Sequence, residues 1–311
     1  MPEDTTMWRY LLQRIGQMML VVVGVVTLTF FVLRLAAGDP ARLMNRPGTP
    51  EEIVQEVRER IGTDKPLLVQ YGVFLRNLAR GDLGTSFHGE QRVLDTILDK
   101  LPNTLALGVI AILISSGIGL VLGTAAALRP HSIIDRAILV YAAVALSTPN
   151  FWLGVILVLI FAIQLGWVPA IDLSGPESFV LPVATLVITL TPLLIRAVRQ
   201  SFLETLGEDF IRAARARGLS EFRVLFVHGL SVAAIPLITL VGLQAGFVLG
   251  GAYVVESIFN WPGLGKLTLD SMAGRDFPMI QGTVLVAATI FVVVNFVVDL
   301  LYAALDPRIR Y

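Results

Sequence analysis

Charged residues fall unevenly along this chain, between long stretches that hold none. Six windows lack Asp, Glu, Lys and Arg, bounded by Arg14 and Arg34, Lys100 and Arg129, Arg136 and Asp172, Glu177 and Arg196, Arg223 and Glu256, and Asp276 and Asp299. A helix needs about 20 mostly apolar residues to cross a bilayer, so each window predicts one span. The third and fifth exceed one crossing but fall short of the ~40 residues that two crossings and a turn require, and each is read as one tilted or extended helix. Composition agrees: 15% of the 311 residues are charged and 55% hydrophobic, with mean hydropathy +0.75, against roughly 25% charged in a soluble domain. The expected fold is an all-α polytopic membrane protein with six transmembrane helices.

Arg9 and Arg14 precede the first window as they would in a secretory leader. Its 19 uncharged residues exceed a leader's apolar region, however, and Leu33-Arg34-Leu35 offers no small-residue cleavage site, so a retained anchor is expected. Lys and Arg in short loops mark the cytoplasmic side. With the N-terminus inside, the cytoplasmic segments hold Arg129, Arg136, Arg196, Arg199, Arg212, Arg215, Arg217, Arg223, Arg308 and Arg310, while the short outside loops hold only Lys266 and Arg275. Both termini are expected in the cytoplasm. The division predicted is 1–35 for the N-terminal segment and first span, 36–100 for an outside subdomain, and 101–311 for a five-helix core with a cytoplasmic loop at about 199–223.

In the outside subdomain, Thr49-Pro50-Glu51-Glu52 reads as a capping box with proline at the first helical position. Ile53, Val57 and Ile61 then share one face, and Gly62 can stop the helix. That face fits a helix folded over the chain's own spans, or one that touches a partner or lipid; the amphipathic pattern favours the first. Pro149, Pro182, Pro192 and Pro236 lie in or near spans. Gly242, Gly246 and Gly250 recur at four-residue spacing, which lets another helix approach closely.

Several chemistries are excluded. The chain has no cysteine, hence no thiolate metal site or cysteine nucleophile. Zero net charge gives no reason to expect nucleic acid. His88, His131 and His228 stand outside the span centres with no HExxH spacing, and no Gly-x-Ser-x-Gly elbow occurs. The windows hold no intramembrane acid or base for a proton-coupled carrier, and Glu256 and Asp299, at window edges, are read as carboxylates reaching the interface. A Walker A sequence is missing, so the chain carries no ATPase site of that kind and no cofactor of its own is expected. Energy for uphill transport would enter through another subunit.

The segment from Arg196 to Arg223 is too polar to span and too patterned for a slack loop. Glu208 and Asp209 suit a helix start, Arg212, Arg215 and Arg217 its end, Gly218 a left-handed stop and Ser220 the next cap. A helix from Glu208 to Arg217, about 15 Å long, is predicted, with Phe210, Ala213, Ala214 and Arg217 on one face. Such a face suits another protein's groove or an anionic lipid surface, and the residues alone leave both open.

Arg212-Ala213-Ala214-Arg215-Ala216-Arg217-Gly218 resembles the EAA loop of ABC importer permeases, with Arg212 where the general pattern has Glu, as is common in the peptide-importer branch. Ala234-Ile235-Pro236 loosely matches its later portion. Further likenesses follow in order: Gly81-Asp82-Leu83-Gly84-Thr85-Ser86, Leu101-Pro102-Asn103-Thr104, Ser147 to Gly154, Gly207 to Arg212, Ile258 to Gly265, and Asp306 to Tyr311. The chain is similar to the first permease subunit of dipeptide/oligopeptide/nickel ABC importers. That resemblance implies a type I importer permease fold in a bacterial or archaeal inner membrane. The implied partners are a second homologous permease, two ABC ATPases that bind ATP and Mg, an extracytoplasmic substrate-binding protein, and membrane lipid.

It also implies that Glu208, Asp209, Arg212, Ala213, Ala214 and Gly218 mark a coupling helix docking on one ATPase, so that Gly218→Asp would uncouple hydrolysis from transport. Short peptides are the expected cargo, with nickel, glutathione or oligosaccharide as alternatives and a self-sufficient channel or carrier as the rival class. Trp261-Pro262-Gly263 is read as an interfacial anchor. Ser147 to Trp152 lines the pathway or packs at a proline bend.

Overall fold

The computed structural model describes residues 3–36, 38–45, 48–89, 91–169, 175–224 and 229–305. His228, Asp172 and the C-terminal Asp306–Tyr311 motif lie outside them, as do the side chains of Ala234, Ile235 and Pro236. In chain order the helices are α1 (Glu3–Ala36), α2 (Pro40–Met44), α3 (Glu51–Arg60), α4 (Leu67–Leu78), α5 (Val93–Leu128), α6 (Ile133–Ser147), α7 (Asn150–Leu157), α8 (Val180–Leu206), α9 (Asp209–Ala216), α10 (Glu221–Arg223), α11 (Leu230–Ile258), α12 (Leu264–Gly274) and α13 (Phe277–Leu305). Among the described residues four helices are long and apolar enough to cross a membrane, within α1, α5, α8 and α13, and α6 with α7 makes a fifth if that bent pair is one span.

The third window therefore departs from the straight helix expected of it. Its two arms meet at 102°, and the break falls where proline chemistry puts it. Pro149 has no N–H to continue the ladder, and the residue before a proline is pushed out of the helical region. Thr148 is accordingly extended (φ −92°, ψ 119°) and ends α6, while Pro149 opens α7. The second arm finishes in a π-helical stretch, Val158–Gln164.

The chain divides into two compact units. One comprises Met1–Asn103 with Pro262–Val292, the other Thr104–Trp261 with Val293–Tyr311. In the first, Val93, Ile97, Leu264 and Met279 form the core, and α12–α13 close against α5 because Gly282 is bare: a Cβ there would sit 2.4 Å from Val93. Asp276 secures the same region. Its carboxylate accepts from Ser86 Oγ, from Phe87 N at 3.2 Å and from Met279 N at 3.3 Å, while His88 Nε2 meets Gly274 O at 2.6 Å. The Gly81-to-Ser86 segment is thus a structural clasp, with Gly81 and Gly84 both at positive φ.

In the second unit, α8 is the central element. Leu181, Leu186, Leu190, Val248, Ala252 and Val255 form its largest core. Gly119 and Gly123 of α5 let α8 approach until a Cβ would lie 2.6–2.7 Å from Leu194 and Val198, the close crossing that small residues permit. Gly242 does the same toward Val298 of α13, at 2.4 Å.

Three local expectations change. Pro50, extended at φ −53° and ψ 143°, is itself the N-cap of α3, so Thr49 stands one residue too far out for a capping box. On α3 it is Val54 that is buried, and Ile53 points outward; Gly62 does stop the helix, at φ +72°. Trp261 is no interfacial anchor: it is 4% exposed and packs edge-on against Phe179 at 4.5 Å.

Candidate functional site

The polar segment after α8 builds a short helix on a small apolar foot. Glu208 is the extended N-cap of α9, Asp209 its first residue, and Arg217 its C-cap, followed by Gly218 at φ +78°. Ser220 then caps α10 by accepting from Arg223 N. These are the positions expected from the charges and the glycine. The buried face differs. Ile211 (fully buried), Ala214 and Val224 form the foot, with Leu206 and Leu219 against it. Phe210, Ala213 and Arg217 face outward with Arg212, so Ala214 parts from the face predicted for it. The periodicity of Ile211, Ala214 and Leu219 was the available signal, and Phe210, the larger residue, drew attention from it.

Two ion pairs hold this segment. Arg212 bonds Asp209 one turn back, and Arg215 grips Glu221 of α10 through two hydrogen bonds of 2.8 and 3.2 Å. Asp209 and Arg212 are strongly exposed, so this pair shapes the surface and adds little stability. A side chain at Gly218 would meet open space; its constraint is the left-handed backbone alone.

Farther along α8, Arg199 clamps Asp135 of α6 with both arms of its guanidinium, Nε to Oδ1 at 2.7 Å and Nη2 to Oδ2 at 2.8 Å. Asp135 is 2% exposed and also accepts from His131 N, while Ser132 caps α6 by accepting from Asp135 N. Ser132 three residues before Asp135 is a local signal for the helix start, though not for the partner 64 residues away.

At the other end of α6 the proline break opens a cavity of about 450 Å³, lined by Ala145 to Asn150, Thr189, Leu190, Leu193, Leu243 and Gln244. This size falls within the range of small-molecule pockets. Among the described residues no charged one lines it. Gln244 is 4% exposed; its Nε2 donates to Leu190 O at 2.7 Å, leaving Oε1 without a partner in the described structure. Ser147, Thr148 and Asn150 both form the bend and line the space. Glu256, read from sequence as reaching the interface, is instead fully buried, and Thr104 Oγ1 donates to it at 2.7 Å. Among the described residues no three His, Asp or Glu converge as a metal site.

The described residues thus give a helical chain with membrane-length apolar helices, one bent helix pair, a cavity at its bend and a polar helix on an apolar foot. The chain belongs to the family of binding-protein-dependent transport system inner membrane components, matched over residues 119–311, with that family's N-terminal region matched over 7–108. It is 39% identical over 305 residues to the glutathione transport system permease protein GsiC of Salmonella choleraesuis (strain SC-B67), which covers 98% of this chain and all of that protein. The protein of the same name from Escherichia coli (strain K12) is 38% identical over the same length. In fold the chain resembles the inward-facing MetNI methionine ABC transporter, with TM-score 0.56 and 22% identity over 68% of this chain and 96% of that one. It is a multi-pass inner membrane permease subunit of an ABC importer, and such importers work with ATPase and substrate-binding partners.

Proposed function

We propose that this permease translocates short peptides handed over by the substrate-binding protein, with α9 as the coupling helix. The observation that carries the reading is the construction of α9: Ile211 and Ala214 are tied to the chain by a small core, while Phe210, Ala213 and Arg217 are exposed, as is Arg212, whose ion pair is with Asp209 on the same helix. Docked in a groove on one of two ATPases, α9 moves when they close. Glu208 and Asp209 set its start, Gly218 its end. The motion passes along α8 to the Arg199–Asp135 clamp and so to α6, about 22 Å long at 1.5 Å per residue, whose far end is the cavity at Pro149. Six spans complete this reading, α11 (29 residues) being the sixth, with both termini cytoplasmic, the divisions 1–35, 36–100 and 101–311, and a second homologous permease completing the pathway.

The cavity suits a neutral or zwitterionic cargo in passage. Its walls are apolar with a few hydroxyl and amide groups, and Gln244 Oε1 can accept a peptide N–H. Affinity would be low and selection left to the binding protein. Likeness to glutathione permeases favours glutathione among short peptides; its two carboxylates and one ammonium make it a net anion, for which the uncharged lining offers no selective partner and selection again falls to the binding protein. The test is reconstitution of the complex in liposomes, with ATP hydrolysis and uptake of labelled glutathione and of an ordinary tripeptide measured together. Gly218→Asp should leave hydrolysis running while uptake falls; full uptake in an assembled Gly218→Asp complex would remove α9 from the coupling role. ATP-independent uptake by the chain alone would overturn the importer mechanism.

A further inference from the structure

Within the first unit, a polar pocket lies at the C-terminal end of α1. It measures about 200 Å³ and is lined by Arg34, Gly38, Asp39, Pro40, Arg58, Thr63, Leu67 and Gln70. Its two cations are not equivalent. Arg58 donates to Asp39 Oδ2 through Nε at 3.2 Å and Nη2 at 2.5 Å, bonds Gln55 and lies 3.4 Å from Glu51. Arg34 donates Nη1 to the neutral Gln70 Oε1 at 2.5 Å and sits 5.2 Å over the Phe30 ring. Among the described residues the ion pairs here are Arg42 with Asp39 and Glu51, and Arg58 with Asp39 and Glu51, and Arg34 belongs to none. Gln70 in turn is fixed by donating Nε2 to Thr63 O and Lys65 O at 3.2 and 2.7 Å. The pocket is therefore a held frame around one half-buried guanidinium without a counter-charge.

Its depth in the bilayer follows from α4. Tyr71 OH hydrogen-bonds Thr27 Oγ1 at 2.7 Å, and Phe74 stacks on Phe30 at 5.4 Å. Both contacts lie on the apolar span Leu12–Leu35. Helix α4 is thus fastened at membrane depth, and its other face leaves Leu68 (76% exposed), Val69 and Val73 open, as suits a helix lying in the interface. Arg34, one residue from the end of that span, is at headgroup level, where a long basic side chain reaches for phosphate.

We propose that the Arg34 pocket binds the phosphate of an anionic phospholipid headgroup. A guanidinium fork matches phosphate oxygens with two parallel hydrogen bonds, and Arg34 has its Nε and Nη2 left to give. The volume equals roughly seven water molecules at 30 Å³ each, room for a phosphate and its glycerol stub. The acyl chains would run down α1 beside Leu68 and Val73. The same phosphate chemistry could come from a free anion, which lacks the chains. This inference is independent of the cargo and of the role given to α9.

Native mass spectrometry of the detergent-purified, delipidated complex tests it, titrated with phosphatidylglycerol and, separately, with glycerol 3-phosphate. Wild type should retain one more phosphatidylglycerol than Arg34→Gln, whose affinity at this site should fall about tenfold, as for loss of a charged hydrogen bond. Arg34→Lys should fall between, keeping the charge without the fork. Gln70→Glu supplies an internal counter-charge at almost unchanged volume, while giving up the Nε2 bonds to Thr63 O and Lys65 O, and should lose the lipid equally, even if Arg34→Gln fails to assemble; Gln70→Leu, which gives up the same bonds without adding a charge, should keep more of it. Arg76→Gln, on the exposed last turn of α4, should change nothing. Wild-type retention by both Arg34→Gln and Gln70→Glu would overturn the proposal. Equal binding of glycerol 3-phosphate and the lipid would overturn the lipid source and leave a free-anion site.

Discussion

Helices α8 and α13 both qualify as membrane spans, yet the chain treats them oppositely. The apolar stretch of α8 is 61% buried within the protein, that of α13 only 6%. Apolarity therefore says that a segment belongs in the bilayer and nothing about what covers it there. What marks α8 as the inner helix is finer: its neighbour α5 supplies Gly119 and Gly123 where it crosses, and Arg199 finds a carboxylate on α6. Helix α13 presents Val293, Val297 and Leu301 to whatever surrounds the chain.

That contrast can be broken from the α8 side first. Arg199→Ala strands the buried Asp135 carboxylate and should cost about 3–5 kcal/mol, read as a lowered unfolding midpoint in detergent; a loss below about 1 kcal/mol would mean the clamp is a surface pair in effect. Next, Gly123→Leu drives a side chain into Val198 and the Ile195 carbonyl and should cost about 1–3 kcal/mol or more. If the helices simply part without loss of stability, the close crossing is not what centres α8. Smaller still is Gly218→Val, whose cost is a β-branched residue at φ +78°, about 1–2 kcal/mol. Because the site is open, Gly218→Asn should recover most of it. The smallest effect belongs to α13: Val297→Ala should stay within about 0.5 kcal/mol for the isolated chain. A loss confined to the assembled complex would identify that face as a contact with a partner subunit.

What could be read without the structure follows the same line. The membrane class, the spans in α1, α5, α8 and α13, and the start and stop of α9 were legible because charge, length and glycine act locally. The 102° break was announced by Pro149 but hidden by an unbroken apolar window, which records composition and not direction. The foot beneath α9 differs from the predicted face of Phe210, Ala213, Ala214 and Arg217 because Ile211, one position after Phe210, is the residue buried with Ala214 against Val224, a partner beyond the helix that its own periodicity does not reveal. Glu256 was placed at the interface on the assumption that a carboxylate near a window edge finds water. Thr104, 152 residues away, supplies a hydrogen bond that no local pattern encodes. Gln244 shows the same limit, since its orphaned Oε1 exists only where α6 turns aside.

The clasp at Asp276 has a consequence for the order in which the protein is made. Ser86 and Phe87 leave the ribosome about 190 residues before the carboxylate that secures them. The first unit joins the N-terminal third of the chain to residues 262–292, so its closure depends on contacts of long sequence separation, which form slowly. Throughout most of synthesis the segment from Gly38 to Arg92 is already outside the first span while its fastening has yet to be translated. A chain halted before Asp276 would leave Ser86 and Phe87 without the carboxylate that holds them.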